Sequence, residues 1–506
     1  MIGRGADVSQ ASLEPEWRIL LDALQALWHN DTCARYRTIY ARVPTRASSM
    51  ILHLLARGAD RLSRRFLVGL VVLPILVGCA SGKQDKIPFM PPPAFLQNAE
   101  VPPFQDPSPV TAPGDPRILY ATLRQPATHG GEDRFYTAER AAELRLGTSR
   151  VVLGRSDVTW EMARRMSILK NATDQYPLQV ADVEEFGVLD RTLHPILAPG
   201  SSATPDPLPR WRFVSAVNER LSRSRDPDIF IYVHGYKVNF ENPVLVSAEL
   251  WHFLGYEGVF LPFAWPSHRE ALAYFGDTES ARYSAMFLRE LIEFLAEETT
   301  ARRIHILGYS AGTRLVGAAL HQLALRNGHR SPEEIRQRLR LGNVILVGSD
   351  IDKGIFINYL MDGLLRVQDR LTVYESPKDK ALGLAVLAFG RNRVGQLNPA
   401  DLSPAARQFL RESDAIALIN VTNAPGYDHG NGHSYFRDSP LVSSDILATL
   451  RYDLGPAKRG LTQNPESGVW EFPTDYLARL ENVIYGVDPE LGRRAKELAG
   501  GVGDQP

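Results

Sequence analysis

Cysteine is nearly missing from this chain. The 506 residues carry two, Cys33 and Cys79. That excludes a disulfide framework, and no Cys/His spacing fits a zinc site. An excess of one charge is missing as well. Lys and Arg total 57 against 58 for Asp and Glu, a formal net charge of −1. No basic stripe with interleaved aromatics occurs, so nucleic acid is not an expected partner. No internal repeat occurs, which excludes a solenoid. The apolar run from Phe66 to Gly78 has 13 residues. A bilayer-spanning helix needs about 20. With 44% hydrophobic and 23% charged residues, the composition permits a sizeable core.

What the chain does have is Arg303-Ile-His-Ile-Leu-Gly-Tyr-Ser-Ala-Gly312. An apolar strand-like run ends at Leu307, Gly-Tyr-Ser-Ala-Gly follows, and a helical segment begins. This is the context of a nucleophile elbow. A tight strained turn there lifts the Ser310 hydroxyl above a sheet, within reach of a base. The bland alternative is a Gly-rich strand-to-helix turn around a buried serine.

Strands and helices alternate through the middle of the chain. The pattern predicts strands at Ile118–Leu123, Arg150–Gly154, Asp228–Val233, Gly258–Ala264, Ile304–Leu307, Asn343–Val347, Leu371–Glu375 and Ala415–Val421. Helices are predicted at Trp211–Leu221, Pro243–Leu254, Thr278–Glu298, Ala311–Arg326, Ser331–Leu339, Lys380–Phe389 and Leu441–Leu450. Repeated βα order means an α/β fold with a mostly parallel central sheet and helices on both faces. The expected organisation is a hydrolase-type domain over 117–453 and a C-terminal extension over 454–506.

A nucleophilic serine needs a base, and the base needs an orienting acid. The expected chain order is nucleophile, acid, histidine, each just past the C-terminal end of a strand. Asp379 is the preferred acid, two strands after the elbow, with Asp350 and Asp352 as alternatives. Each of the three also reads as a helix cap or turn residue. His433 is the preferred base and His429 the alternative, both in the Gly-rich loop after the last strand. His234-Gly235-Tyr236 directly follows its strand. The Tyr236 amide, with that of Ala311, is expected to form an oxyanion hole. Trp265, Tyr274 and Phe275 read either as part of a lid or acyl pocket over Phe263–Tyr283, or as core. No metal and no cofactor are expected.

Arg61, Arg64 and Arg65 precede the Phe66–Gly78 run, which ends in Leu76-Val77-Gly78-Cys79. A basic flank, a short apolar region and small residues describe a secretory signal, expected over 50–78. The ending resembles a bacterial lipobox. That resemblance implies lipid attachment at Cys79 and a membrane-anchored envelope protein. Ala80, where Asp is absent, implies the outer membrane, facing the periplasm. Residues 1–49 read either as sequence upstream of the true start at Met50 or as a cytoplasmic extension. Ala80–Pro116 holds ten prolines in 37 residues. With Cys79 it reads as an extended tether over 79–116.

Further motifs carry a family resemblance from Ile118 to Phe436. They are Val233-His-Gly-Tyr236, Phe263-Ala-Trp-Pro-Ser267 with Tyr274 and Asp277, Leu307-Gly-Tyr-Ser-Ala-Gly312, Asp350-Ile-Asp352, Ser376-Pro-Lys-Asp-Lys-Ala-Leu382 and Gly432-His-Ser-Tyr-Phe436. In these the chain resembles the bacterial α/β-hydrolases catalogued as a domain of unknown function, number nine hundred. The resemblance implies an esterase- or lipase-like enzyme with Ser310 as nucleophile, Asp379 as acid and His433 as base. Family members often have His before and Met after the nucleophile, where this chain has Tyr309 and Ala311. The expected substrate is a small or lipid-like ester. Thioester, peptide and acyl-transfer chemistry would use the same triad. A different reading is a silent envelope lipoprotein that uses the fold as a binding scaffold.

Overall fold

The computed structural model describes residues 86–88, 90–91, 93–97, 117–128, 133–153, 177–193, 206–270, 273–424 and 432–489. The signal segment, Cys79 and His429 lie outside them. Among the described residues, no helix is long and apolar enough to cross a membrane.

In chain order the elements are β1 (Lys86–Pro88), α1 (Ala94–Gln97), β2 (Arg117–Pro126), β3 (Tyr136–Leu153), β4 (Pro177–Val188) and α2 (Leu208–Leu221). Then come β5 (Ile229–Val233), α3 (Glu241–Phe253), β6 (Val259–Ala264), α4 (Tyr274–Glu298), β7 (Ile304–Tyr309), α5 (Gly312–Arg326) and α6 (Pro332–Leu339). Next are β8 (Leu341–Val347), α7 (Lys353–Met361), β9 (Arg370–Glu375), α8 (Lys380–Phe389), α9 (Pro404–Glu412) and β10 (Ile416–Asn420). The last are α10 (Tyr435–Asp438), α11 (Pro440–Tyr452), β11 (Thr462–Gln463), β12 (Trp470–Glu471) and α12 (Tyr476–Val487). Among the described residues the strands form one sheet, ordered β1-β4-β3-β2-β6-β5-β7-β8-β9-β10-β12-β11. Pairing is parallel from β2 across to β12 and antiparallel at both edges.

The central strands are apolar without a break because both faces are covered. Ile229, Ile231 and Val233 of β5 join one core layer, with α4 and α5. Phe230 and Tyr232 join the other, with α3 and α11. The strand period of two produces that division. Every residue of α3 except Asn242 is buried. A helix apolar on nearly all sides needs cover all round. The α6 start is as expected: Ser331 Oγ accepts from Glu334 N, and Glu334 Oε2 accepts from Ser331 N.

Several regions differ from the sequence expectation, which contains no counterpart of β4, α7 or α9. β3 runs for 18 residues, where only its end was predicted. Its Glu139, Arg140, Glu143 and Arg145 break up the apolar run, while Leu144, Leu146 and Val151 face the core. Within the proline-rich 79–116, the described residues between 86 and 97 are not a free extended tether. Lys86–Pro88 pairs with β4. Met90 N donates to Glu249 Oε1 at 2.5 Å, and Ile87, Met90 and Phe95 are buried. Apolar side chains between the prolines drive this docking. Residues 454–489 are likewise no separate extension. β12 pairs with β10, and Arg459 holds the fully buried Asp445 of α11 through Nε at 2.7 Å and Nη2 at 2.9 Å.

Register aligns the strand ends that matter. Val233 sits beside Gly308, Tyr309 beside Val347, Val347 beside Tyr374, and Glu375 beside Asn420. The turns that follow β5, β7, β8, β9 and β10 therefore share one rim, where open α/β sheets build their sites.

Candidate active site

Strand β7 ends at Tyr309, and Ser310 adopts a left-handed backbone with φ 52°. A non-glycine residue there is strained and is held by its surroundings. Here Ser310 N donates to Val347 O at 2.9 Å. Ser310 O accepts from Thr313 N at 3.0 Å and from Thr313 Oγ1 at 2.6 Å. Gly312 opens α5 directly against the β5 turn. A β-carbon at that position would lie 2.2 Å from His234 O, so no larger residue lets the two segments approach.

Ser310, Asp379 and His433 come together from three separate strand ends. His433 Nε2 lies 2.8 Å from Ser310 Oγ, and His433 Nδ1 lies 2.7 Å from Asp379 Oδ2. All three side chains are buried. An ionised carboxylate only accepts hydrogen bonds, so Nδ1 carries the imidazole proton and Nε2 accepts from the serine hydroxyl. Asp379 has a second task. Its Oδ1 accepts from Leu382 N at 3.0 Å and caps α8. One oxygen of Asp379 thus caps a helix while the other faces the imidazole.

Two residues that sequence reasoning did not single out fix the histidine. Gly348 has φ 54°, and a β-carbon on it would stand 2.8 Å from His433 Cε1. Tyr435 accepts from Gly348 N at 2.7 Å and donates to Tyr374 O at 3.0 Å. Burial pushes the Tyr435 phenol well above its ordinary pKa, so it stays neutral. The available signal was its place in Gly432-His-Ser-Tyr-Phe436.

The His234–Tyr236 turn borders the serine from the other side. A β-carbon on Gly235 would lie 2.9 Å from Ser310 Cβ. Trp265 Nε1 donates to His234 O at 2.7 Å, and the two rings stack at 5.1 Å. Trp265 is fully buried there, away from the lid role considered for it. Burial, with Arg124 nearby, drives the His234 pKa well below its usual value. The ring is neutral, and its Nδ1–H donates to Gly235 O at 2.6 Å. Arg124, itself buried and held by burial at a pKa of about 10, ties the neighbouring loops. It donates to Val238 O at 2.8 Å and Ser267 O at 3.1 Å.

The lower-ranked acids are engaged elsewhere. Asp350 Oδ2 accepts from Tyr274 Oη at 2.5 Å and Arg314 Nε at 2.7 Å. Asp352 Oδ1 caps α7 through Ile355 N. Tyr274 and Phe275 do cluster, joined by Tyr236 and Phe389.

A rim-mounted serine elbow on a mostly parallel sheet with helices on both faces defines an α/β-hydrolase fold. Residues 212–451 match the family described as alpha/beta hydrolase of unknown function (DUF900). No curated protein matches the chain.

Proposed function

We propose that the protein is a serine hydrolase of the esterase or lipase type. The observation that carries this reading is His433 bridging Ser310 Oγ and Asp379 Oδ2 at 2.8 and 2.7 Å, with Ser310 held at φ 52°. In the reaction, His433 Nε2 takes the Ser310 proton as Oγ attacks the ester carbonyl carbon. The Tyr236 and Ala311 amides receive the negative oxygen. The tetrahedral intermediate then collapses, the C–O bond to the alcohol breaks, and His433 protonates that alcohol. Water repeats the sequence on the acyl-serine: His433 takes its proton, the carboxylic acid leaves, and Ser310 recovers its hydrogen.

A fluorophosphonate probe tests this directly. Wild type is expected to be labelled and Ser310→Ala to take no label. Equal labelling of the two, or none of either, would return the chain to the scaffold reading. We further propose anchoring of the protein in the bacterial envelope, at the outer membrane, through a lipid on Cys79. The support is the sequence pattern around that residue. Metabolic palmitate labelling is expected in wild type and lost in Cys79→Ser; persistence in the variant refutes the anchor.

A further inference from the structure

One buried cluster beside the serine has no part in the proposed reaction. Arg314, in the first turn of α5, and Arg393, after α8, both reach Asp350. Arg314 Nε donates to Asp350 Oδ2 at 2.7 Å, and Arg393 Nε lies 3.4 Å from Oδ1. Tyr274 Oη also donates to Oδ2. The neighbouring Asp352 caps its own helix through Oδ1. One carboxylate thus serves two guanidinium groups. Arg393 is only 2% exposed. Arg314 Nη2, Arg393 Nη2, Arg393 Nε and Asp350 Oδ1 are buried with no hydrogen-bond partner among the described residues. Oδ1 lies 3.4 Å from Arg393 Nε, which leaves both Nη2 donors unmet. Buried donors without acceptors are rare and costly, and two on adjacent cations point to an acceptor that the described residues do not supply. Burial lowers the pKa of Arg393 even with Asp350 beside it.

The cluster is fastened to the elbow. Thr313 Oγ1 accepts from Asp350 N at 3.1 Å and donates to Ser310 O at 2.6 Å. The Tyr274 ring packs 4.9 Å from that of Tyr236, on the oxyanion side. Phe389 covers both cations, its ring centre 4.7 Å from Arg393 Cζ and 5.3 Å from Arg314 Cζ. Phe389 is the last residue of α8, before Gly390 at φ 64°, and its ring meets Phe275, which is 56% exposed. Arg393 lies under this aromatic cover, while the Arg314 side chain keeps 21% of its surface open to solvent.

We propose that Arg314 and Arg393 form an anion subsite of the Ser310 centre, which takes an ester bearing a carboxylate or phosphate group. The inference rests on the hydrolase reading. Guanidinium groups match such oxyanions with paired, charge-assisted hydrogen bonds. Asp350 and Tyr274 hold the pair in place but leave donors to spare.

The test compares kcat/KM for neutral p-nitrophenyl butyrate, mono-p-nitrophenyl glutarate and a short-chain acyl glycerol phosphate. Wild type is expected to favour an anionic ester by at least about tenfold, through KM. The arm that gains tells carboxylate from phosphate. Arg393→Gln and Arg314→Gln are each expected to reduce that preference by about tenfold. Since a buried arginine variant can fail to fold, a wild-type measurement stands beside it. Glutarate is expected to compete with the neutral ester and glutaramide is not. Turnover of neutral ester with no anionic preference, equal losses on all esters, or equal inhibition by the two competitors overturns the subsite alone. No turnover of any ester and no fluorophosphonate labelling overturns the hydrolase reading, and the subsite with it.

Discussion

Asp379→Asn is expected to lower kcat by about 10⁴ while leaving thermal stability nearly unchanged. The geometry makes the outcome specific. Oδ1 of Asp379 accepts from Leu382 N, and Oδ2 faces His433 Nδ1 at 2.7 Å. An asparagine keeps its oxygen at the cap, because Leu382 N can only donate. Its amide nitrogen must then stand where Oδ2 stood. That nitrogen donates to Nδ1, so the imidazole proton moves to Nε2 and the base no longer accepts from Ser310. Asparagine caps helices as well as aspartate does, so α8 keeps its start. Asp379→Ala removes both functions and is expected to cost about 1 kcal/mol of stability in addition. Kinetics with p-nitrophenyl butyrate and thermal melts of both variants check this. An Asp379→Asn enzyme within tenfold of wild type would remove Asp379 from the mechanism.

Glu375→Gln is expected to stabilise the protein by up to about 3 kcal/mol at pH 7. Glu375 ends β9 and is fully buried, and neither carboxyl oxygen has a hydrogen-bond partner among the described residues. Burial, with Glu471 adding to it and Asn420 offsetting a part, pushes its pKa up to about 9 from an ordinary 4.5. Between those two values the unfolded chain has released the proton and the folded protein still holds it. Folding stability therefore falls as pH rises from about 4.5 to about 9 and levels off above. Glutamine keeps the shape and has no proton to lose. The advantage of the variant should vanish near pH 4.5 and grow steadily toward pH 9. Denaturant melts of the two proteins at pH 5, 7 and 8.5 measure it. A gap that stays constant across that range would show that Glu375 does not carry a shifted proton.

Much of this was legible in the sequence because it is local. An apolar run, a glycine-flanked serine and a helical period specify strand, turn and helix without reference to distant residues. The same holds for the βα alternation, which puts every candidate residue on one rim. Local pattern failed where charge interrupted it, as in β3, whose Glu139, Arg140, Glu143 and Arg145 are interspersed with the buried Ala141, Leu144 and Leu146. It failed again where prolines masked the apolar Ile87, Met90 and Phe95 that dock on the domain.

By itself, then, the sequence determined the fold class, the elbow at Ser310 and the chain order of the candidate site. Three carboxylates each follow a strand, and strand order after the elbow favours Asp379 without showing what any of the three touches. The tertiary structure supplies their partners. Arg314 and Tyr274 converge on Asp350, the start of α7 occupies Asp352, and Asp379 alone of the three meets His433. The physical reason is competition for partners. A carboxylate takes its role from the donors that strand register and helix packing bring to it, and those donors lie tens of residues away along the chain.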